Sequence, residues 1–208
     1  MGVGWSCRPQ AWLVVQGSGR METVGRDGRE EDRKCVDCGV LTKKDWGGLT
    51  PRRVEYLPRP VELVIIQHTA SPTCSTDSGC AELVRNIQNY FLDILDYSDI
   101  GPSFLIGGNG KVYEGAGWIH KGAHTIGYNG KSIGISFIGN FNNDDPTPQA
   151  LAAAKALIKC GVTKGHLTRD YKLVGHRQLI AIEGPGRKLY QEIRTWPDWT
   201  DNLNGIKN

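Results

Sequence analysis

Val61-Glu62-Leu63-Val64-Ile65-Ile66-Gln67-His68-Thr69 is the stretch whose reading decides the fold. It begins as a nearly continuous β-branched run, the pattern of a strand buried in the middle of a sheet. It ends in polar residues, which places Gln67, His68 and Thr69 at the strand's C-terminal edge. Ligands favour that edge in α/β sheets. Successive strand positions point to opposite faces, so Gln67 and His68 are expected to diverge.

Working outward, the apolar residues Leu83, Val84, Ile87, Tyr90, Phe91 and Ile94 recur at threes and fours between Cys80 and Leu95. That spacing predicts an amphipathic helix. Short strands follow at Ser103–Ile106 and Lys111–Glu114, joined by the hairpin signal Gly107-Gly108-Asn109-Gly110. Ser132–Ile138 reads as another strand. Thr147-Pro148 opens a second helix, with Thr147 as its cap, Leu151, Ala154, Leu157 and Ile158 on its buried face and Gly161 closing it. Lys172–Val174 reads as a short edge strand, and a last helix runs from about Gly186 to Arg194. The fold class that results is α/β, a central mixed β-sheet flanked by helices.

The chain has 208 residues, enough for one domain with a substantial core and a tail. Its net charge is only +3, and no stretch is strongly basic, so there is no nucleic-acid footprint. No apolar run approaches the ~20 residues of a membrane helix. Glu22 to Lys34 is charged and nearly free of large apolar residues. Residues 1–37 are therefore expected to be an N-terminal extension, a leader or disordered, with the domain at 38–208. Ala11-Trp12-Leu13-Val14-Val15 is the best candidate for a secretory leader, but it is short and ends abruptly at Gln16-Gly17-Ser18-Gly19-Arg20. A start at Met21 or elsewhere would reconcile that leader with secretion.

Six cysteines, Cys7, Cys35, Cys38, Cys74, Cys80 and Cys160, suit disulfides in an oxidising compartment. Cys35-Val36-Asp37-Cys38 has zinc-knuckle spacing, but no second pair follows, so one paired cysteine and one spare is the plainer reading. Cys74 and Cys80 enclose a five-residue polar loop that a disulfide bridges easily; two free thiols are the alternative. Of the five histidines, His68, His124 and His176 stand at or near strand ends and can converge on one face. Imidazole is a common zinc ligand, but dispersed histidines without a short-range motif are weak evidence for a metal.

Taken in order, several motifs resemble the peptidoglycan-recognition proteins, which share a fold with zinc amidases of the phage-lysozyme type. They are Val64-Ile65-Ile66-Gln67-His68-Thr69-Ala70, Cys74 with Cys80, Asp99-Ile100-Gly101, Phe104-Leu105-Ile106-Gly107 and Val112-Tyr113-Glu114-Gly115. Gly122-Ala123-His124-Thr125, Ser132 through Asn140 and Val174-Gly175-His176-Arg177 complete the set. The resemblance runs from about Cys38 to Trp199 and is closest to short, secreted, arthropod-like forms. It implies a second disulfide, Cys38 to Cys160, and leaves Cys7 and Cys35 unassigned.

Catalytic members of that family hold zinc with two histidines and a cysteine, and a tyrosine assists. The resemblance puts Gln67 at the first histidine, His176 at the second, Gly184 at the cysteine and Pro102 at the tyrosine. It therefore implies a protein with no catalytic residues, no metal and no cofactor, binding rather than cutting bacterial wall. The implied peptidoglycan contacts are His68, Asp96, Tyr97, His124, Thr125, Asn129, His176 and Arg177. Pro102, Phe91 and Ile126 depart from related receptors. Readers of diaminopimelic-type wall carry a Gly-Trp pair and an arginine where this chain has Asp96-Tyr97 and Ala116, so lysine-type wall is expected. The implied role is a secreted pattern-recognition receptor of innate immunity, signalling toward Toll with other recognition proteins or a serine-protease cascade as partners. A zinc-dependent N-acetylmuramoyl-L-alanine amidase, a bactericidal lectin-like protein and a structural remnant are the competing readings.

Overall fold

A computed structural model describes residues 38–206. The expectations for residues 1–37, including the leader and the pairing of Cys7 and Cys35, lie outside the described residues. The strands are β1 (Val40–Leu41), β2 (Val61–His68), β3 (Phe104–Ile106), β4 (Val112–Glu114), β5 (Ser132–Phe137) and β6 (Leu167–Gly175). The helices are α1 (Lys43–Trp46), α2 (Asp77–Asn89), α3 (Pro148–Thr163) and α4 (Arg187–Ile193). A π-helical turn, Tyr90–Ile94, extends α2, and a 3-10 turn, His176–Gln178, follows β6.

The six strands form one sheet in the order β1-β4-β3-β5-β2-β6. Only the β3–β4 hairpin is antiparallel, so the sheet is mixed, as its pattern of runs and turns implied. β2 lies between β5 and β6 and is parallel to both. Val64, Ile65 and Ile66 are fully buried, which is why the run carries no polar alternation. Gln67 stands opposite Ser136, and His68 opposite Phe137, so the polar ends of β2 and β5 emerge together.

Helices cover both faces. α3 and α4 pack Ala154, Leu157, Ile158, Leu189 and Ile193 onto Val64, Ile66, Phe104, Ile135 and Phe137. α1 and α2 place Trp46, Cys80 and Val84 against Leu105, Tyr113 and Ile138. The Thr147 hydroxyl accepts from Ala150 N at 3.1 Å, and Pro148 occupies the first turn of α3. Cys38 bonds Cys160 and Cys74 bonds Cys80. The first ties the start of the sheet to α3; the second holds the connection from β2 to the opening turn of α2. No helix among the described residues is long and apolar enough to cross a membrane.

Several details differ from the sequence pattern. Tyr90 and Ile94, expected on the buried stripe of α2, are 52% and 69% exposed. The π-helical turn moves them off the core, and Leu92 is buried instead. Gln88 is also buried, because its amide both donates to and accepts from the Leu49 backbone and donates to Asp99. β6 is nine residues long, its charged middle being the exposed part of an edge strand.

Gly161 does not close α3; it lies within the helix, and Gly165, with φ of +72°, follows the end. Glycine is needed at 161 for space. A Cβ there would lie 2.5 Å from the Trp118 ring, which also stacks on His166 at 4.8 Å. Gly161→Ala should therefore lower stability by about 1–3 kcal/mol despite alanine's better helix propensity. Urea unfolding checks this; an unchanged midpoint would mean that Trp118 yields without cost.

Candidate functional site

The C-terminal ends of β2 and β5 open into a cavity of about 760 Å³. Gln67, His68, His124, Ser136, Asn140, Asn142 and His176 give it a polar floor. Leu83, Ile87, Tyr90, Phe91 and Pro102 form an apolar wall. Gln67 and His68 diverge as strand alternation predicts, Gln67 toward His124 and Thr125 and His68 toward Phe141; both still border the cavity because it lies across the strand's end.

The network behind this floor starts at Gln67, which is 5% exposed. Its Nε2 donates to the His124 carbonyl and to Thr125 Oγ1, both at 3.0 Å. Asn129 Oδ1 accepts from the backbone N–H groups of His124 and Thr125, at 2.9 and 2.7 Å. The loop carrying His124 is thus held from two sides. His124 Nδ1 lies 3.1 Å from Thr125 Oγ1. His68 Nδ1 accepts from Phe141 N at 3.3 Å, which requires an unprotonated nitrogen.

Burial pushes all three histidines below the ordinary imidazole value. His124 falls to about 3, with burial dominant and His176 adding to it. His176 falls to about 4 through burial and the neighbouring His68. His68 is lowered by burial and then by Arg177, with Glu183 opposing. At neutral pH the floor therefore presents three uncharged imidazoles. The Nε2 atoms of His124 and His176 have no hydrogen-bond partner among the described residues.

Of the eight residues singled out in the sequence, His68, Tyr97, His124 and His176 line the cavity. Thr125 and Asn129 act from behind it. Asp96 is not in its lining; it borders an adjoining cavity of about 330 Å³ together with Tyr97, Ala116, Lys121 and Asn129. Asp96 has φ of +54° and meets Arg52 at 3.5 Å. Arg177 donates to the Glu183 carbonyl and stacks over Tyr190 at 5.2 Å, outside the lining. Ser136, Asn140 and Asn142 were missed as site residues. Ser136 was findable from the register, since it pairs with Gln67. Asn140 and Asn142 lie in a loop with no periodic signal.

Histidines held neutral make stability pH-dependent. The unfolded chain takes up their protons near the ordinary value of 6.5, and the folded chain does so only at lower pH. Stability should be full above 6.5 and fall as pH drops toward 4, by up to ~1.4 kcal/mol per pH unit for each such group. Denaturant titrations at pH 7 down to pH 4 check this, and His124→Gln should flatten the slope. An equal slope in both proteins would show that His124 titrates normally.

Comparison with known proteins identifies the architecture. Residues 57–189 match the family described as N-acetylmuramoyl-L-alanine amidase. A "Peptidoglycan recognition protein" of Trichoplusia ni is 68% identical over 166 residues, covering 80% of this chain and 91% of that protein. The structure of Manduca sexta Peptidoglycan Recognition Protein-1 superposes with a TM-score of 0.78 at 58% identity, covering 81% of this chain and 96% of the other. Peptidoglycan recognition protein-LE, solved in complex with tracheal cytotoxin, a monomeric diaminopimelic acid-type peptidoglycan, gives 0.78 at 38% identity, covering 80% and 98%. The sheet with helices on both faces is the fold of the peptidoglycan recognition protein family, to which this chain belongs.

Proposed function

We propose that the protein is a non-catalytic receptor that binds bacterial peptidoglycan in the cavity at the end of β2. The observation that carries this is the use made of Gln67. At the position where the family resemblance puts a zinc histidine, a neutral amide spends its N–H groups on His124 and Thr125. Gly184 offers no donor atom: a Cβ there would lie 3.4 Å from His176 Nδ1, so a side chain at 184 would reach the ring. Pro102 lines the cavity without a hydroxyl. Among the described residues, no three His, Cys, Asp or Glu side chains are gathered to hold a metal ion. These residues do not fit the zinc of catalytic relatives.

The cavity suits a muramyl peptide. Its polar floor offers imidazole, amide and hydroxyl groups to sugar and peptide, and its apolar wall packs against their carbon skeleton. His68, Tyr97, His124 and His176 are the direct contacts in this reading. Thr125 and Asn129 hold His124 in place, and Arg177 braces the Glu183 side. The adjoining cavity favours lysine-type wall. Ala116 is buried and brings no cation to a diaminopimelate carboxylate, Lys121 in the same cavity is paired with Glu55 at 2.9 Å, and Asp96, exposed and held by Arg52 only at 3.5 Å, would repel that carboxylate and attract a lysine ammonium. Peptidoglycan recognition protein-LE shows that the fold also accommodates diaminopimelic-type fragments, so the preference rests on these side chains. The two disulfides support a secreted protein. A receptor of this kind triggers innate immune signalling such as the Toll pathway, through other recognition proteins or a protease cascade.

Incubation with insoluble lysine-type and diaminopimelic-type peptidoglycan, with and without zinc, tests this reading. Binding without release of muramyl peptides is expected, with lysine-type wall preferred. Zinc-dependent release would establish an amidase instead. Asp96→Asn should weaken lysine-type binding by no more than about fivefold, because an exposed ion pair contributes at most ~1 kcal/mol. A preference that survives this change unaltered would remove Asp96 from the account.

A further inference from the structure

We propose that a cleft between the second half of α3 and the C-terminal segment binds a short acidic stretch of a partner protein, one that carries a bulky apolar side chain beside its carboxylates. The proposal goes beyond wall binding, because no residue of this cleft lines the cavity at the strand ends.

The cleft has a volume of about 440 Å³, within the range of small-ligand and peptide sites. Its place follows from the course of α3. β2, β5 and β6 are parallel, so the chain that leaves the end of β5 must travel back before β6 can begin. α3 makes that return. It starts at Pro148, shortly after the loop that brings Asn140 and Asn142 to the strand-end cavity. At 1.5 Å per residue, Lys159 lies about 16 Å further along the helix. The two sites can therefore be filled at once.

The cleft is built and held. Ile158, Val162, Tyr171, Trp196 and Pro197 supply its apolar surface. Ile158 and Trp196 belong to the core, so that surface is fixed. The disulfide from Cys160 to Cys38 anchors this stretch of α3. On the other side, Leu173 N donates to the Asp198 carbonyl at 2.8 Å and Thr200 N to the Leu173 carbonyl at 3.1 Å. Walls fixed before binding lose little freedom when a ligand arrives.

Charge selects the occupant. Lys155, Lys159 and Arg169 surround the apolar surface, and Asp198 is the one acid in the lining. Lys155 is already committed. Its Nζ lies 3.2 Å from Glu192 Oε1 and 4.9 Å from the centre of the Trp196 ring, and the same Glu192 oxygen accepts from Trp196 Nε1 at 2.9 Å. Lys159 and Arg169 are exposed and form no ion pair among the described residues. Arginine pairs with a carboxylate through two parallel N–H groups, and Trp, Tyr and Arg often dominate the binding energy of protein interfaces. A carboxylate on each free cation and an apolar side chain on the Trp196 surface would satisfy the cleft. Two free cations are too few for the phosphate track of a nucleic acid.

Selection from a phage-displayed library of random dodecapeptides on the intact protein tests the proposal. The enriched peptides should carry Asp or Glu next to Leu, Phe or Trp. Their affinity should fall about tenfold or more in the variant carrying both Lys159→Glu and Arg169→Glu, and should weaken as salt rises. Both positions are exposed, so the unfolding midpoint of this variant should match that of the unsubstituted protein, and the loss can be read as lost contact. No enrichment, enrichment of peptides without acids, or equal binding to the variant would each overturn the proposal. Retention on phosphatidylserine vesicles that the variant loses, with no peptide enriched, would assign the cleft to a lipid surface instead. None of these readouts contains bacterial wall, so they judge the cleft separately from the wall-binding role.

Discussion

The parallel pairing of β2 with both of its neighbours is the constraint on which the rest depends. Parallel strands end on the same side of a sheet, so the polar residues that finish β2, β5 and β6 come out together. His68 closes β2, Ser136 is near the end of β5, and His176 follows β6 directly. No local motif could gather these residues from separations of 40 residues or more; the register does it. The aliphatic run from Val61 to Ile66 supplies the energy that holds the register, because a slip would expose its side chains or bury its polar end.

The second layer of organisation is a hydrogen-bond network rather than a hydrophobic one. Gln67 is buried and points its donors at a loop, and Asn129 grips the same loop through two backbone N–H groups. A buried amide is tolerated only when paired, so the loop and the strand end stabilise each other. In this arrangement Gln67 is a structural tie.

The sheet was legible because its strands announce themselves. A β-branched run, a Gly-rich hairpin and a Thr-Pro helix start each carry a local signal. The boundaries that moved lacked one. Tyr90 and Ile94 follow helical spacing, yet a π-helical turn rotates them outward, and nothing in the spacing marks such a turn. Gly161 looks like a helix stop, but its role is contact with Trp118, which lies more than forty positions earlier. In the candidate site, the histidines were legible as strand-end residues. Gln67 and His68 diverge as alternation predicts, and what the pattern does not reveal is that both border one cavity, because it lies across the strand's end. Asn140 and Asn142 belong to a loop whose path only tertiary structure reveals.

The neutral imidazoles of the floor also set how the cavity responds to dissolved salt. Hydrogen bonds between uncharged partners are barely screened by mobile ions, whereas an exposed carboxylate such as Asp96 is screened within about 10 Å at 0.1 M salt. Grip and discrimination are thereby placed on different physical forces. Under the proposed function, salt-rich fluid would leave the floor's hold on a muramyl peptide nearly unchanged and would weaken the discrimination between peptide stems proposed for Asp96.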